Sequence, residues 1–133
     1  MTTPDQASQK PLLQIRHLQK FFPITEGFFR QVVGQVRAVD DVSFDVFEGE
    51  TLGLVGESGC GKTTTSRCVL RAVDPTAGEI LFHRKNGDCV DLAQLTRDEL
   101  RPLRSEIQMI FQDPFGSLNP RMTIFDNFGE PLL

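Results

Sequence analysis

Residues 56–63 read Gly-Glu-Ser-Gly-Cys-Gly-Lys-Thr, the spacing G-x-x-x-x-G-K-[ST], and no other stretch constrains the chain as strongly. Gly56, Gly59 and Gly61 let the backbone turn tightly with its N–H groups pointing inward. The apolar run at 51–55, Thr-Leu-Gly-Leu-Val, predicts a short buried parallel strand just before the loop. Residues 62–73 predict a helix, with Val69, Ala72 and Val73 at helical spacing and a stop at Asp74-Pro75. Strand, loop and helix in this order put a nest of backbone donors at a helix N-terminus, which suits a di- or triphosphate. Lys62 is then expected at the β- and γ-phosphates, and the Thr63 hydroxyl on Mg²⁺. A chance match in a chain this long is expected roughly once in a few hundred chains, so a glycine turn that binds nothing is the weaker reading.

Composition limits the other possibilities. With 133 residues the chain is one domain or a piece of one. Its net charge of −4 offers no basic excess to neutralise a nucleic-acid backbone, so no nucleic-acid partner is expected. No apolar run approaches the roughly 20 residues that span a bilayer. Cys60, Cys68 and Cys89 lack C-x-x-C spacing, which fits a reducing compartment better than a disulfide framework or zinc site. His17 and His83 read as strand or surface residues rather than ligands, and Cys60, although inside the loop, is given no catalytic role.

Taken in order, residues 1–10 read as a polar, disordered tail. Leu13 and Ile15 alternate with Gln14 and Arg16, predicting a half-buried strand that runs toward Leu18 and ends at Phe21-Phe22-Pro23. Residues 24–35 are irregular and read as a loop whose Phe28 and Phe29 either dock on a partner or cover the core. Val42, Phe44 and Val46 mark a second strand, and Glu48-Gly49-Glu50 a turn. Residues 79–83 and 89–92 predict a pair of strands about a turn at Asn86-Gly87. Thr96 with Glu99 forms a capping box, so a helix should start at Arg97, cut short by Pro102. Residues 107–111 predict a second parallel core strand, giving way to loop at Gln112-Asp113-Pro114.

Together the loop at 56–64, the Phe-Gln-Asp-Pro at 111–114 and its continuation Phe-Gly-Ser-Leu-Asn-Pro-Arg-Met at 115–122 resemble the ATP-binding subunit of an ABC transporter. With Phe-Phe-Pro at 21–23 and Val-Arg-Ala-Val-Asp-Asp-Val-Ser-Phe at 36–44, the likeness narrows to the dipeptide/oligopeptide importer family, second ATPase subunit type. The resemblance implies an α/β fold, a P-loop NTPase of ABC type, with an antiparallel β subdomain plus a partial parallel core sheet. Residues 11–122 would be the N-terminal part of the nucleotide-binding domain and 123–133 the start of a helical subdomain. It further implies ATP and Mg²⁺ as bound species. Gly56, Glu57, Ser58, Gly59, Cys60, Gly61, Lys62, Thr63 and Thr64 would hold the phosphates. Phe22, with Phe21 as its rival, would stack on adenine. Lys62 and Gln112 would act at the γ-phosphate, and Thr63 and Gln112 at the metal.

The implied partners are transmembrane permease subunits, a second ATP-binding subunit and, indirectly, a substrate-binding protein. The implied place is the cytoplasmic face of the membrane, held peripherally. Residues 1–133 contain no Leu-Ser-Gly-Gly-Gln signature and none of the acidic pair or switch histidine that follow it in relatives. The chain therefore reads as an N-terminal half, truncated before the signature motif, with little or no ATP turnover of its own. Its open apolar edge predicts low stability. The alternatives are a nucleotide-binding fragment that does not hydrolyse and a soluble P-loop phosphotransferase.

Overall fold

The computed structural model describes residues 10–27, 31–110, 119 and 121–129. Four strands form one antiparallel sheet in the order β2-β1-β3-β4. They are β1 (Pro11–Glu26), β2 (Gln31–Phe47), β3 (Ala77–His83) and β4 (Cys89–Asp91). Helix α1 (Lys62–Val69) packs on the sheet through Thr65 and Cys68. The short helix α2 (Arg97–Leu100) continues as a 3₁₀ turn over Arg101–Ser105, and α3 (Ile124–Gly129) follows.

β1 is the spine of this arrangement, and alternation alone does not account for its buried face. Ile15 and Leu18 are both fully buried although they are three residues apart. The register slips between them, and His17 adopts a left-handed backbone at φ 49°. This bulge turns Leu18 inward and His17 outward, where its Nδ1 meets Asp41 at 2.6 Å. Gly78 makes the bulge possible at the start of β3. Its φ is +101°, and a Cβ there would lie 2.6 Å from His17 O and 2.7 Å from Leu18 Cα. The core closes with Val39, Cys68, Ile80, Phe82, Leu92, Leu100 and Leu103.

Several expected elements are present with changed bounds. β1 runs past Phe22-Pro23 to Glu26 and pairs with β2 through Ile24↔Gly34 and Glu26↔Gln31. The described parts of the supposed loop at 24–35 are thus paired strand, because cross-strand pairing accommodates Pro23 and the scattered apolar residues that look irregular along the chain. Phe28 and Phe29 lie outside the described residues. Beyond Gln19 β1 pairs only with β2, which leaves Val32, Val33 and Val36 more than half exposed.

Helix α1 stops at Val69, short of the expected Val73. Arg71 turns left-handed at φ 52°, and its nearly buried guanidinium leaves the helix axis to donate to Ala93 O (2.6 Å) and Leu95 O (3.1 Å). Arg104 then donates to the carbonyls of Leu70 and Arg71. The last helix carbonyls, of Ser66, Arg67 and Cys68, accept from the backbone N–H groups of residues 70–73 as the chain turns away, and Arg104 covers the two carbonyls just beyond.

The parallel part of the expected sheet is absent among the described residues. Neither 51–55 nor 107–110 is a strand. Leu52 and Leu54 are part-exposed, while Val55 and Ile110 are almost fully exposed. A parallel strand has no hydrogen bonds of its own, so an apolar run stays irregular until another strand lies alongside. Leu52 and Leu54 of the first run line an apolar groove with Leu13, Phe44, Val46 and Val69.

The capping box is present in full. Glu99 N–H donates to Thr96 Oγ1 (3.4 Å), while Thr96 N–H (2.8 Å) and the Thr96 hydroxyl (2.7 Å) donate to Glu99 Oε2. The hydroxyl first and the N–H second hold the Glu99 carboxyl below its ordinary value of 4.5. Its contribution is complete above that value and is lost as pH falls through the lower folded one. Thr96→Ala should lower the melting temperature near neutral pH and by progressively less in acid. Equal losses at pH 7 and pH 3 would remove Glu99 from the account.

Candidate functional site

The phosphate loop reaches its position because β2 carries a bulge. Lys20 pairs with Val39 but Phe21 pairs with Arg37, so Ala38 is an extra residue on β2. Its carbonyl oxygen faces Gly61, and a Cβ on Gly61 would collide with it. Gly61 also has φ +93°, which glycine alone adopts freely. The first residue before α1 is therefore pressed against the sheet with no side chain between.

From Gly61 the helix begins with no side-chain cap and no acidic residue in its first turn. Thr65 N–H makes the first helical bond, to Gly61 O at 2.8 Å. The N–H groups of the preceding turn carry the partial positive end of the helix. The loop in front is closed by Cys60 N–H donating to Glu57 O (3.3 Å), with Gly59 left-handed at φ +84°. Lys62 folds back into this loop, and its Nζ donates to Gly56 O (2.8 Å) and Glu57 O (2.6 Å), with Cys60 Sγ at 3.4 Å. Two neutral carbonyls hold one ammonium group over the loop. A phosphate oxygen is the stronger, charge-assisted acceptor for it.

Thr63 stands exposed in the first turn, and Thr64 behind it is half-buried. An exposed hydroxyl is the kind of hard oxygen ligand Mg²⁺ takes beside phosphate oxygens, and no cluster of His, Cys, Asp or Glu among the described residues offers another metal site. Thr65 and Ser66 are not available in the same way. Their hydroxyls donate back to Gly61 O (3.0 Å) and Lys62 O (3.1 Å) and stiffen the helix start.

The two candidate rings are separated by their surroundings. Phe21 is half-buried, with the Arg37 guanidinium 5.4 Å from its ring centre. Phe22 is 40% exposed and pairs with Val36, two residues along β2 from the Ala38 bulge that touches the loop. At about 3.3 Å per residue, Val36 opposite Phe22 lies roughly 7 Å along β2 from Ala38. Gly61 and Phe22 thus lie by neighbouring stretches of β2, and Phe22 is the more exposed of the two rings, with Lys20 Nζ 4.9 Å from its centre. Gln112 lies outside the described residues.

Three supports of this region are not among the residues expected above: Ala38 with its bulge, Lys20, whose Nζ donates to Asp74 O, and Thr76, whose Oγ1 accepts from Phe21 N–H. The spacing of Lys20 and Phe22, two apart on one strand, was a usable signal. Nothing local marks Ala38 as a bulge or Thr76 as a tie, because both act across the fold. His83 is on β3, its Nε2 3.0 Å from Gln14 Oε1.

A sequence profile described as ABC transporter matches residues 39–131. The oligopeptide transport ATP-binding protein AppF of Bacillus subtilis (strain 168) is 49% identical over 126 residues, covering 94% of this chain and 37% of AppF. The glutathione import ATP-binding protein GsiA of Salmonella paratyphi A is 50% identical over 123 residues, covering 92% of this chain and 19% of GsiA. The chain thus spans little more than a third of the first of these relatives. Among solved structures, the dimeric post-hydrolysis state of the ATP-binding cassette MJ0796, bound to ADP and Pi, superposes with a TM-score of 0.64 at 25% identity. The match covers 90% of this chain and 46% of that one.

The two left-handed glycines of the loop should respond differently to substitution. Gly59→Ala meets open space and only backbone strain, whereas Gly61→Ala must also displace the loop from Ala38. Triphosphate binding should fall further in Gly61→Ala, by about tenfold relative to Gly59→Ala, for an extra cost of about 1.4 kcal/mol. Equal losses measured by calorimetric titration would show that the contact with β2 does not set the loop.

Proposed function

Because the chain belongs to the ABC transporter family, we propose that it is the nucleotide-gripping part of an ATP-binding subunit of a dipeptide/oligopeptide importer. The observation that carries this reading is the uncapped start of α1 at Gly61, with Lys62 Nζ resting on the carbonyls of Gly56 and Glu57. The names of the two relatives, one for oligopeptide transport and one for glutathione import, support small peptides as the class of cargo. The ADP and Pi in the matching cassette support a nucleotide in the loop. Family membership also speaks against a soluble phosphotransferase.

The binding step follows from the residues. The triphosphate tail lies along residues 56–64, where backbone N–H groups at the head of α1 point at its oxygens. Lys62 exchanges its two carbonyl acceptors for β- and γ-phosphate oxygens, so its charge is held over the loop before the ligand arrives and turns to the phosphates afterwards. Thr63 would hold Mg²⁺, which when bound neutralises charge between the outer phosphates. Phe22 offers a ring face to adenine. Gln112 is assigned to the metal and the attacking water on sequence grounds alone.

No helix among the described residues is long and apolar enough to cross a membrane. We therefore assign the chain's membrane role to docking on permease subunits at the cytoplasmic face, together with a second ATP-binding subunit. A separate binding protein outside would deliver the cargo.

Equilibrium dialysis of the folded chain with Mg²⁺ and ATP tests the central claim. The parent chain should take up ATP, and Lys62→Ala should weaken uptake by roughly 10- to 100-fold, the loss of a charged hydrogen bond of about 1.5–3 kcal/mol. No uptake by the parent, or uptake that Lys62→Ala leaves unchanged, would refute the reading.

A further inference from the structure

We infer that Lys20 is a positioning residue for base recognition, holding the Phe22 ring in place and tying it to the segment that leaves the phosphate-loop helix. The inference rests on the reading of Phe22 as the adenine platform and deepens it. Lys20 Nζ lies 4.9 Å from the centre of the Phe22 ring. The same ammonium donates to Asp74 O at 2.8 Å. One cation therefore covers one face of the ring and is itself anchored five residues beyond the end of α1.

Two more bonds flank this anchor. Phe21 N–H donates to Thr76 Oγ1 (3.0 Å), and Thr76 N–H donates to Gln19 O (2.8 Å). Residues 19–21 of β1 are thus clamped to residues 74–76, and α1, whose N-terminus is the phosphate cradle, leads directly into that clamp. The ring is oriented relative to the cradle from both ends of the helix: through Ala38 and Gly61 at the start, and through Lys20 and Asp74 at the finish.

The chemical consequence concerns the base rather than the phosphates. A phenyl ring on an exposed hairpin arm is free to rotate, and a ligand that stacks on it must stop that rotation. With the ammonium seated on one face, the ring is already ordered and the other face remains for a planar base. The phosphate contacts do not involve Lys20. It should therefore favour ligands that carry a base over bare polyphosphate.

Affinities of the full chain for Mg-ATP and for inorganic tripolyphosphate, measured side by side, separate these roles. Phe22→Ala should weaken ATP by about tenfold and leave tripolyphosphate unchanged. Lys20→Met, which keeps an apolar stem without charge, should weaken ATP by about two- to fivefold, again with tripolyphosphate unchanged, and Lys20→Arg should restore ATP binding. An unaltered ATP affinity in Phe22→Ala would overturn the platform and the Lys20 role together. A weakened Phe22→Ala beside an unaltered Lys20→Met would overturn the Lys20 role alone. Equal losses for both ligands in Lys20→Met would make Lys20 a general brace and also overturn the inference.

Discussion

The contact on which this structure turns is the close approach of Gly61 to the carbonyl of Ala38. It requires two local irregularities at once. β2 must carry one residue too many opposite Lys20 and Phe21, and the residue before α1 must lack a side chain. Each is unfavourable or neutral alone, since a bulge interrupts the ladder and glycine is poor at ordering a chain. Together they seat the start of a helix on a sheet edge with its N–H groups free. The position of the loop is therefore a property of the sheet as much as of its own glycines.

At the other end of the helix, arginines do the corresponding work. Arg71 donates to carbonyls that follow β4, and Arg104 donates to the carbonyls of Leu70 and Arg71 just past the helix. Their positive charge complements the negative end of the helix dipole. In the loop ahead of α1, Lys62 rests on the two neutral carbonyls of Gly56 and Glu57.

Much of this could be read along the chain. The loop motif, the turn at Asn86-Gly87, the capping box at Thr96 and Glu99, and the strand at Val42-Phe44-Val46 all appear where their residues predict, since each depends on neighbours a few positions away. Three readings differed from the structure for a common reason. The paired residues within 24–35 looked irregular because their partners lie across the strand pair. The apolar runs at 51–55 and 107–110 looked like strands because their composition suits burial, yet a parallel strand exists only beside another. The end of α1 was placed late because Arg71 finds carbonyls some twenty residues away, and no local pattern announces them.

The amino-acid order alone determined the chemistry on offer: three glycines, one lysine and one threonine at intervals that suit a phosphate chain, and a ring ahead of them. Spacing was sufficient because the loop and the first helical turn are made of consecutive residues, whose hydrogen bonds are local. Only the tertiary structure decided which ring is presented and what holds it. Phe21 and Phe22 are equivalent as letters, and they part company only when Arg37 lies over one ring, Lys20 over the other, and Ala38 brings the strand that carries them against the start of the helix.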